Sequence, residues 1–416
     1  MKLSSVPRLA AVLAALTAAA SFGEATWTGW HGPNRDGWVD YFKVPAEWPE
    51  QLDKQWQVKV GTGYATPIVA GGRVFQHGRE GDEEVVRALD LESGKVLWRK
   101  GYPVPFQKGR GGTRHGKGPK SSPAFADGRL FTHSITGVLS AWEAESGKLL
   151  WRRDFKDQLD KSFPYWGAAM SPVADGGRVF VHVGTCEAGA LFALDAKTGE
   201  PVWKQDAHPF CYSSGRIVTI AGVRQLLEWN HDGLCGVDLG TGKILWHYSY
   251  PHTGNNQNTP TPAFHEGLIL AGGENRGMRC VEPTLSEGTW SVKEHWRTRD
   301  VSLDMSTAIM NDGLLYGFSH FKSGQLFCLD PKTGEARWTG PPRTGENAML
   351  VAVPGFVLAL IDTGELRVLK ATGDSYQVVR SYRPAEGDTW APPVLLERGM
   401  LIKDREQLTR WSLPKP

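Results

Sequence analysis

The chain has 416 residues, a formal net charge of +2 at pH 7, and a composition of 40% hydrophobic and 22% charged residues. This balance excludes a global attraction to nucleic acid or anionic lipid, because either partner would need a local patch of charge. The length favours several domains or one architecture that grows by repetition. Together, 49 glycines, 26 prolines and 17 tryptophans indicate an all-β protein with many turns.

The first 25 residues differ in composition from the rest of the chain. Lys2 and Arg8 precede an apolar stretch at positions 9–22, and the small residues Gly23 and Ala25 follow it. This order predicts a secretory signal peptide at 1–25, with the mature protein at 26–416. The alternative is an uncleaved anchor, although about 20 apolar residues are needed to span a bilayer. We expect a periplasmic or secreted protein with no membrane span after cleavage.

One turn motif recurs along the chain. It places an acidic residue, a Ser or Thr and a Gly at fixed offsets, with the Gly four residues before a Trp. The copies are ALDLESGKVLW ending at Trp98, AWEAESGKLLW at Trp151, ALDAKTGEPVW at Trp203, GVDLGTGKILW at Trp246 and CLDPKTGEARW at Trp338. Such a segment predicts a hairpin in which Gly adopts positive φ and the polar side chains cap the backbone.

A second hairpin pattern precedes the copies of the turn motif. Clear versions begin at Thr66, Ser122, Ser171, Thr261, Thr307 and Pro392, and weaker versions begin at Gly215 and Glu346. A repeat of about 40 to 55 residues is typical of a propeller, in which each blade is a four-stranded sheet. Eight such hairpins therefore predict an eight-bladed β-propeller.

The two ends of the chain predict how the ring closes. Only one strand, around 408–413, follows the last hairpin, so the eighth blade lacks its outer strand. The segment KQWQVKVG around Trp56 has the pattern of an outer strand without a hairpin before it. We expect this N-terminal strand to complete the last blade.

These motifs resemble the PQQ-like β-propeller repeats of the quinoprotein alcohol dehydrogenase-like superfamily, whose tryptophan docking motif is A-x-D-x-x-[ST]-G-x-x-x-W. The resemblance covers the whole predicted mature chain, and WTGWHGPNRDGW at 27–38 resembles the leader of exported bacterial members. It implies either a quinoprotein dehydrogenase or a non-catalytic propeller such as the BamB-like proteins. The repeat is specific for the fold and not for either function.

The dehydrogenase class implies two adjacent cysteines beside the quinone and a Glu, Asn and Asp around calcium. The five cysteines here are not adjacent, and the candidate calcium ligands are Asn256, Asp304 and Asp388. No cofactor is therefore expected, and we interpret the chain as a non-catalytic binding or assembly scaffold for an envelope protein or a polysaccharide. The alternative is a dehydrogenase that uses PQQ with calcium to oxidise an alcohol or sugar.

The cysteines have two interpretations. Cys280 and Cys328 align with Ala88 and Ala193 of the turn motif, which predicts small buried core residues. Cys186 and Cys211 fall in loops of neighbouring blades. Both a disulfide between them and a pair of free thiols remain open.

The longest loop precedes the second blade and is basic. It contains Arg110, Arg114, His115 and Lys117, a set that suits an anionic ligand, although a solvated loop is the alternative. Positions 111–117 spell G-x-x-x-x-G-K, but Gly118 and Pro119 follow in place of Ser or Thr and a helix. A nucleotide site is therefore excluded.

Three other loops place aromatic or polar side chains before a blade. Trp166 precedes blade three and Asn256 precedes blade five, while Asp388 and Trp390 precede blade eight. Such residues suit contact with sugar, peptide or quinone, and packing between blades is the alternative. We expect no metal site, because His77, His133 and His182 recur at equivalent positions on adjacent blades, about 10 Å apart and too far to share one ion. We also expect a monomer, because closed propellers need no partner to cover their sheets.

Overall fold

The structure is a computed structural model that describes residues 25–107, 115–157, 159, 163–254 and 257–413. It is an all-β ring of eight antiparallel sheets, which confirms the eight-bladed propeller predicted from the hairpin repeats. Within the described residues, no helix is long and apolar enough to cross a membrane.

Two strands precede the regular repeats: β1 spans Ala25–Trp27 and β2 spans Asp53–Lys59. The strands of blades one to four are β3 (Ile68–Ala70), β4 (Arg73–Glu80), β5 (Glu83–Asp90), β6 (Val96–Pro103), β7 (Ala124–Ala126), β8 (Arg129–His133), β9 (Leu139–Glu143), β10 (Leu149–Arg153), β11 (Val173–Asp175), β12 (Arg178–Gly184), β13 (Gly189–Asp195), β14 (Pro201–Gln205), β15 (Arg216–Ile220), β16 (Val223–Trp229), β17 (Gly233–Asp238) and β18 (Ile244–Ser249).

The strands of blades five to eight are β19 (Ala263–His265), β20 (Leu268–Gly273), β21 (Gly277–Ser286), β22 (Thr289–Thr298), β23 (Ile309–Asn311), β24 (Leu314–Ser319), β25 (Gln325–Leu329), β26 (Ala336–Thr339), β27 (Ala348–Val353), β28 (Phe356–Ile361), β29 (Leu366–Lys370), β30 (Val378–Tyr382), β31 (Val394–Leu396), β32 (Gly399–Lys403) and β33 (Gln407–Ser412). Short 3-10 turns lie at Phe155–Asp157 and Phe321–Ser323.

The ring closes as the sequence predicts. Strand β2 pairs with β33, with Trp56 opposite Arg410, so the N-terminal strand completes the eighth blade. The structure adds one feature that the repeats did not indicate. Strand β1 pairs with β3 and gives blade one a fifth strand.

Most docking tryptophans join their blade to the next one. Trp98 donates a hydrogen bond from Nε1 to the carbonyl oxygen of Ala144 at 3.0 Å, and its ring lies against Gly147 in the following turn. The same carbonyl contact to the next blade is made by Trp56, Trp151, Trp203, Trp296 and Trp338. The acidic residue of the motif caps the receiving turn, as Asp195 does for the amide of Thr198 at 2.8 Å.

One docking tryptophan breaks this pattern. Trp246 of blade four donates to Gln225 Oε1 of its own blade at 2.6 Å. Blade five carries the sequence EPTLSEGTW, which lacks the receiving turn of the other blades, and its outer hairpin is extended instead. The missing turn explains why the indole N–H of Trp246 has its partner within its own blade.

Two cysteines occupy the core position that the sequence predicted. Cys280 pairs with Trp296 and Cys328 pairs with Trp338, in the register in which Ala88 faces Trp98. Both cysteines are fully buried. The prediction of small core residues is confirmed.

A substitution at Gly147 tests the contact between blades one and two. It has φ +69°, and a Cβ there would lie 2.6 Å from Trp98 Cε3, whereas Gly288 has φ +78° and open space around it. We expect Gly288→Ala to lower the free energy of unfolding by about 1 kcal/mol through backbone strain alone. Gly147→Ala should cost a further 1 to 3 kcal/mol, roughly, through overpacking against the indole. Urea denaturation measures both variants, and equal losses would contradict the docking role.

Candidate functional site

A belt of hydroxyl groups links neighbouring blades around the central channel. The amide of Thr66 donates to Ser122 Oγ, the amide of Ser122 donates to Ser171 Oγ, and the amide of Ser171 donates to Ser214 Oγ, each at 2.9 Å. Thr261 continues the belt, since its amide donates to Thr307 Oγ1 at 3.1 Å. These Ser and Thr side chains at the entry to the inner strands therefore hold the neighbouring strands in register with one another.

The N-terminal segment at 28–38 closes one end of this channel. Trp30 Nε1 donates to Thr261 Oγ1 at 3.0 Å. The buried guanidinium of Arg35 donates to three carbonyl oxygens, those of Ser171, Pro172 and Gly215, at 2.8 to 3.0 Å. Burial, together with nearby Arg216, lowers the pKa of Arg35 to about 9. Because these contacts reach blades three, four and five, the leader forms a fixed floor to the channel.

A cavity of about 390 Å³ lies above this floor. Apart from Trp30, Glu274 and Met349, its lining residues lie on the loops that lead into the inner strands. The lining residues are Trp30, Tyr64, His115, Lys120, Trp166, Ala169, Ser171, Tyr212, Ser214, Gln257, Thr259, Thr261, Glu274, Asp304, Met305, Asn347, Met349 and Trp390. This volume matches a small ligand or the end of a chain.

One wall of the cavity is an aromatic cluster. The rings of Tyr64, His115 and Trp390 have centroids 4.7 to 6.0 Å apart, and His115 meets Trp390 edge-on. Trp166 belongs to a second group, in which its backbone amide donates to Tyr212 Oη at 3.2 Å and its carbonyl accepts from Lys120 Nζ at 2.6 Å. Both groups present aromatic surface to the same space.

Acidic and amide side chains share the cavity with these rings. Asp304 precedes β23, Glu274 lies between β20 and β21, and Gln257 and Asn347 add amide groups. Burial, reinforced by the negative charge of Glu274, raises the pKa of Asp304 from 3.8 to about 6. The cavity therefore combines apolar surface with strong hydrogen-bond acceptors.

The structure brings together part of the predicted set of site residues. His115, Trp166 and Trp390 line the cavity, as does Asp304, which the sequence offered only as a calcium ligand. Lys117 and Asp388 are half-buried and lie outside its lining. Arg110, Arg114 and Asn256 lie outside the described residues, so those predictions stay untested.

Sequence reasoning missed several lining residues. Trp30 belongs to the leader, whereas Tyr64 stands two residues before Thr66 at the start of its hairpin motif, and Tyr212 two residues before Ser214, which directly precedes the motif at Gly215. That shared spacing is a signal that could have located the two tyrosines. Glu274 has no such signal, because it follows a middle strand whose loop the repeat does not mark.

The described residues do not complete the site that a calcium-bound quinone would need. No group of three or more His, Cys, Asp or Glu side chains suited to a metal ion occurs among them. An anionic quinone would meet Glu274 and Asp304, while the basic groups of the described lining are Lys120 and His115. We derive no reaction step through a quinone.

The floor, the hydroxyl belt and the aromatic and acidic walls define a class of protein: a β-propeller with a ligand-sized cavity at the end of a closed central channel. The sequence profile of the family described as "Outer membrane protein assembly factor BamB" matches residues 81–340. That match covers more than half of the chain, so the chain belongs to this family of PQQ-like propellers.

Relatives of both functional kinds are similar to the chain. Polyvinylalcohol dehydrogenase of Sphingopyxis sp. (strain 113P3) is 30% identical over 359 residues, which cover 75% of this chain and 49% of the relative. Outer membrane protein assembly factor BamB of Yersinia pestis is 25% identical over 226 residues, which cover 52% of this chain and 50% of the relative. The chain thus spans about half the length of these two relatives.

Solved structures show the same fold. A quinohemoprotein alcohol dehydrogenase from Pseudomonas putida HK5 superposes with a TM-score of 0.68 at 15% identity, covering 94% of this chain and 82% of the other. BamB from Moraxella catarrhalis superposes with a TM-score of 0.61 at 14% identity, covering 87% of this chain and 100% of the other. At these identities the likeness establishes the architecture alone.

The raised pKa of Asp304 predicts that the stability of the fold depends on pH. Its pKa in the folded chain, about 6, exceeds its usual 3.8, so the folded state binds the proton more tightly. Protonated Asp304 therefore contributes its full stabilisation of the fold below about pH 4, and this contribution is lost as the pH rises through about 6. We expect Asp304→Asn to raise the free energy of unfolding at pH 7 by about 1 to 3 kcal/mol, reduced from the full shift because Asp304 is partly exposed.

Urea denaturation from pH 4 to pH 8 measures this difference. The control is Glu274→Gln. It removes the negative charge that adds to the effect of burial on the pKa of Asp304, so the loss of stability should occur at a lower pH. Parallel pH profiles for the wild-type chain and Asp304→Asn would contradict the assignment.

Proposed function

We propose that this chain is an exported binding propeller that holds a hydroxyl-rich ligand, such as the end of a polysaccharide, in its central cavity. The observation that carries the proposal is the pairing of aromatic walls with carboxylate and amide acceptors above a closed floor. Binding in this reading involves no chemical change of the ligand. The signal-like segment at 1–25 supports export to the periplasm or beyond.

The chemistry of the cavity suits hydroxyl groups. The faces of Trp166 and Trp390 offer apolar surface to the C–H face of a sugar ring or a polyol chain. Glu274, Asp304 and the amide oxygens accept hydrogen bonds from hydroxyl donors. Neutral hydroxyl donors bring no charge of their own, whereas an anionic ligand would place a negative charge close to both carboxylates.

The shape of the cavity favours a chain end over a protein surface. Protein interfaces usually bury about 800 Å² on each partner, whereas concave sites of a few hundred Å³ enclose small ligands. A protein partner would therefore need to insert a side chain or a terminus. The relatives named for action on polyvinyl alcohol and on alcohols also handle hydroxylated compounds, which agrees with this choice.

A titration of the purified chain tests the proposal. The probes are gluco-oligosaccharides of increasing length and a short polyvinyl alcohol, with affinity measured by calorimetry. We expect one site per chain, and Trp390→Ala should weaken binding about ten-fold because an aromatic contact of this kind contributes about 1 to 2 kcal/mol. Trp290→Ala is the matched control, since Trp290 lies half-buried on the extended outer hairpin.

Two outcomes would overturn the proposal. One is the absence of binding to every polyol and saccharide probe, or binding that Trp390→Ala leaves unchanged. The other is calcium-dependent binding of PQQ together with dye-linked oxidation of an alcohol, which would establish the dehydrogenase alternative. Thermal unfolding of each variant confirms that the fold is retained.

A further inference from the structure

Two thiols from different loops meet behind the wall of the cavity. Cys186 lies between β12 and β13, and Cys211 lies between β14 and β15. Their Sγ atoms both donate to Gln257 Oε1, at 3.3 Å and 3.6 Å, and the proximity of the two thiols shifts the pKa of each. The sulfurs are therefore within the reach of a disulfide after a small adjustment of the side chains.

The two thiols have different surroundings. Cys186 is half-buried, whereas Cys211 is buried and accepts a hydrogen bond from the amide of Asn258 at 3.1 Å. The contact with Cys211 lowers the pKa of Cys186, and burial raises the pKa of Cys211 well above its usual value. The thiolate therefore forms first at the accessible sulfur.

We propose that Cys186 and Cys211 form a redox pair that closes to a disulfide by exchange with a small-molecule or protein disulfide. The Cys186 thiolate attacks one sulfur of the oxidant, which breaks its S–S bond, releases one thiolate and forms a mixed disulfide. Cys211 then loses its proton and attacks Cys186 Sγ, which releases the second thiolate. Two electrons pass to the oxidant, and the two protons from the cysteines end on its two thiols or in solvent.

Closure of this pair would act on the cavity through Gln257. In the reduced state, the amide oxygen of Gln257, a lining residue, accepts from both thiols. The disulfide has no S–H donors, so this oxygen loses both contacts when the pair closes. Cys211 also precedes Tyr212, whose hydroxyl accepts from the backbone of Trp166 in the cavity wall. This step does not depend on the identity of the ligand.

Equilibration of the full chain in glutathione buffers tests the pair. Intact mass after alkylation should show the loss of two reactive thiols in one chain, and peptide mapping should join Cys186 to Cys211. Cys211→Ser should stop at a mixed disulfide of Cys186 with glutathione, and Cys186→Ser should stay reduced. Cys280→Ala is the matched control, because its position holds Ala in other blades, and it should oxidise like the wild-type chain.

The structure predicts these results because Cys235, Cys280 and Cys328 are buried away from a soluble oxidant. The proposal is overturned if the wild-type chain accumulates a stable glutathione adduct at Cys186, or if it stays fully reduced in oxidised glutathione. It is also overturned if Cys186→Ser still loses two thiols.

A second variant tests the coupling to the cavity. Gln257→Ala removes the acceptor that stabilises the reduced thiols, so the disulfide should form at a ratio of oxidised to reduced glutathione about three-fold lower. The serine variants cannot report this shift, because they do not close the disulfide. An unchanged midpoint in Gln257→Ala would overturn the link between the redox pair and the cavity, while leaving the proposed saccharide binding to its own test.

Discussion

The whole ring depends on one contact, the packing of a tryptophan against the glycine turn of the next blade. A blade buries one face only if a neighbour covers it, so a propeller needs a contact that sets the spacing and tilt of successive sheets. The indole supplies apolar area against the turn, and its single N–H satisfies a carbonyl that the turn leaves open. Gly is required at the turn because both the positive φ and the closeness of the ring exclude a side chain.

The exception at Trp246 shows what the contact requires. Where blade five offers no receiving turn, the indole N–H finds a partner within its own blade. Blades four and five are then held by other contacts, among them the packing of Trp246 and Trp229 in a shared core cluster and the ring of Tyr248 beside β22. Blade seven also lacks the contact, because its outer strand β30 carries no tryptophan. The ring thus tolerates the loss of docking contacts at two junctions when the other blades fix the geometry.

The cavity follows from the same construction. Regular docking places the first residue of every inner strand around one axis, where the hydroxyl belt and the leader convert an open channel into a closed funnel. Function is then set by the few residues on the loops above the belt. This explains how one family fold accommodates an assembly factor and relatives named as dehydrogenases without a change in the scaffold.

The sequence by itself determined the number of blades, the closure by the strand around Trp56 and the core role of Cys280 and Cys328, because each depends on a local spacing repeated along the chain. It also singled out His115, Trp166 and Trp390, which lie on loops that line the cavity. Only the tertiary structure decided that Trp30 forms the floor, that burial and the charge of Glu274 raise the pKa of Asp304, and that Cys186 and Cys211 meet at Gln257. These contacts join residues from different repeats, and their distances depend on the curvature of the closed ring, which no local pattern records.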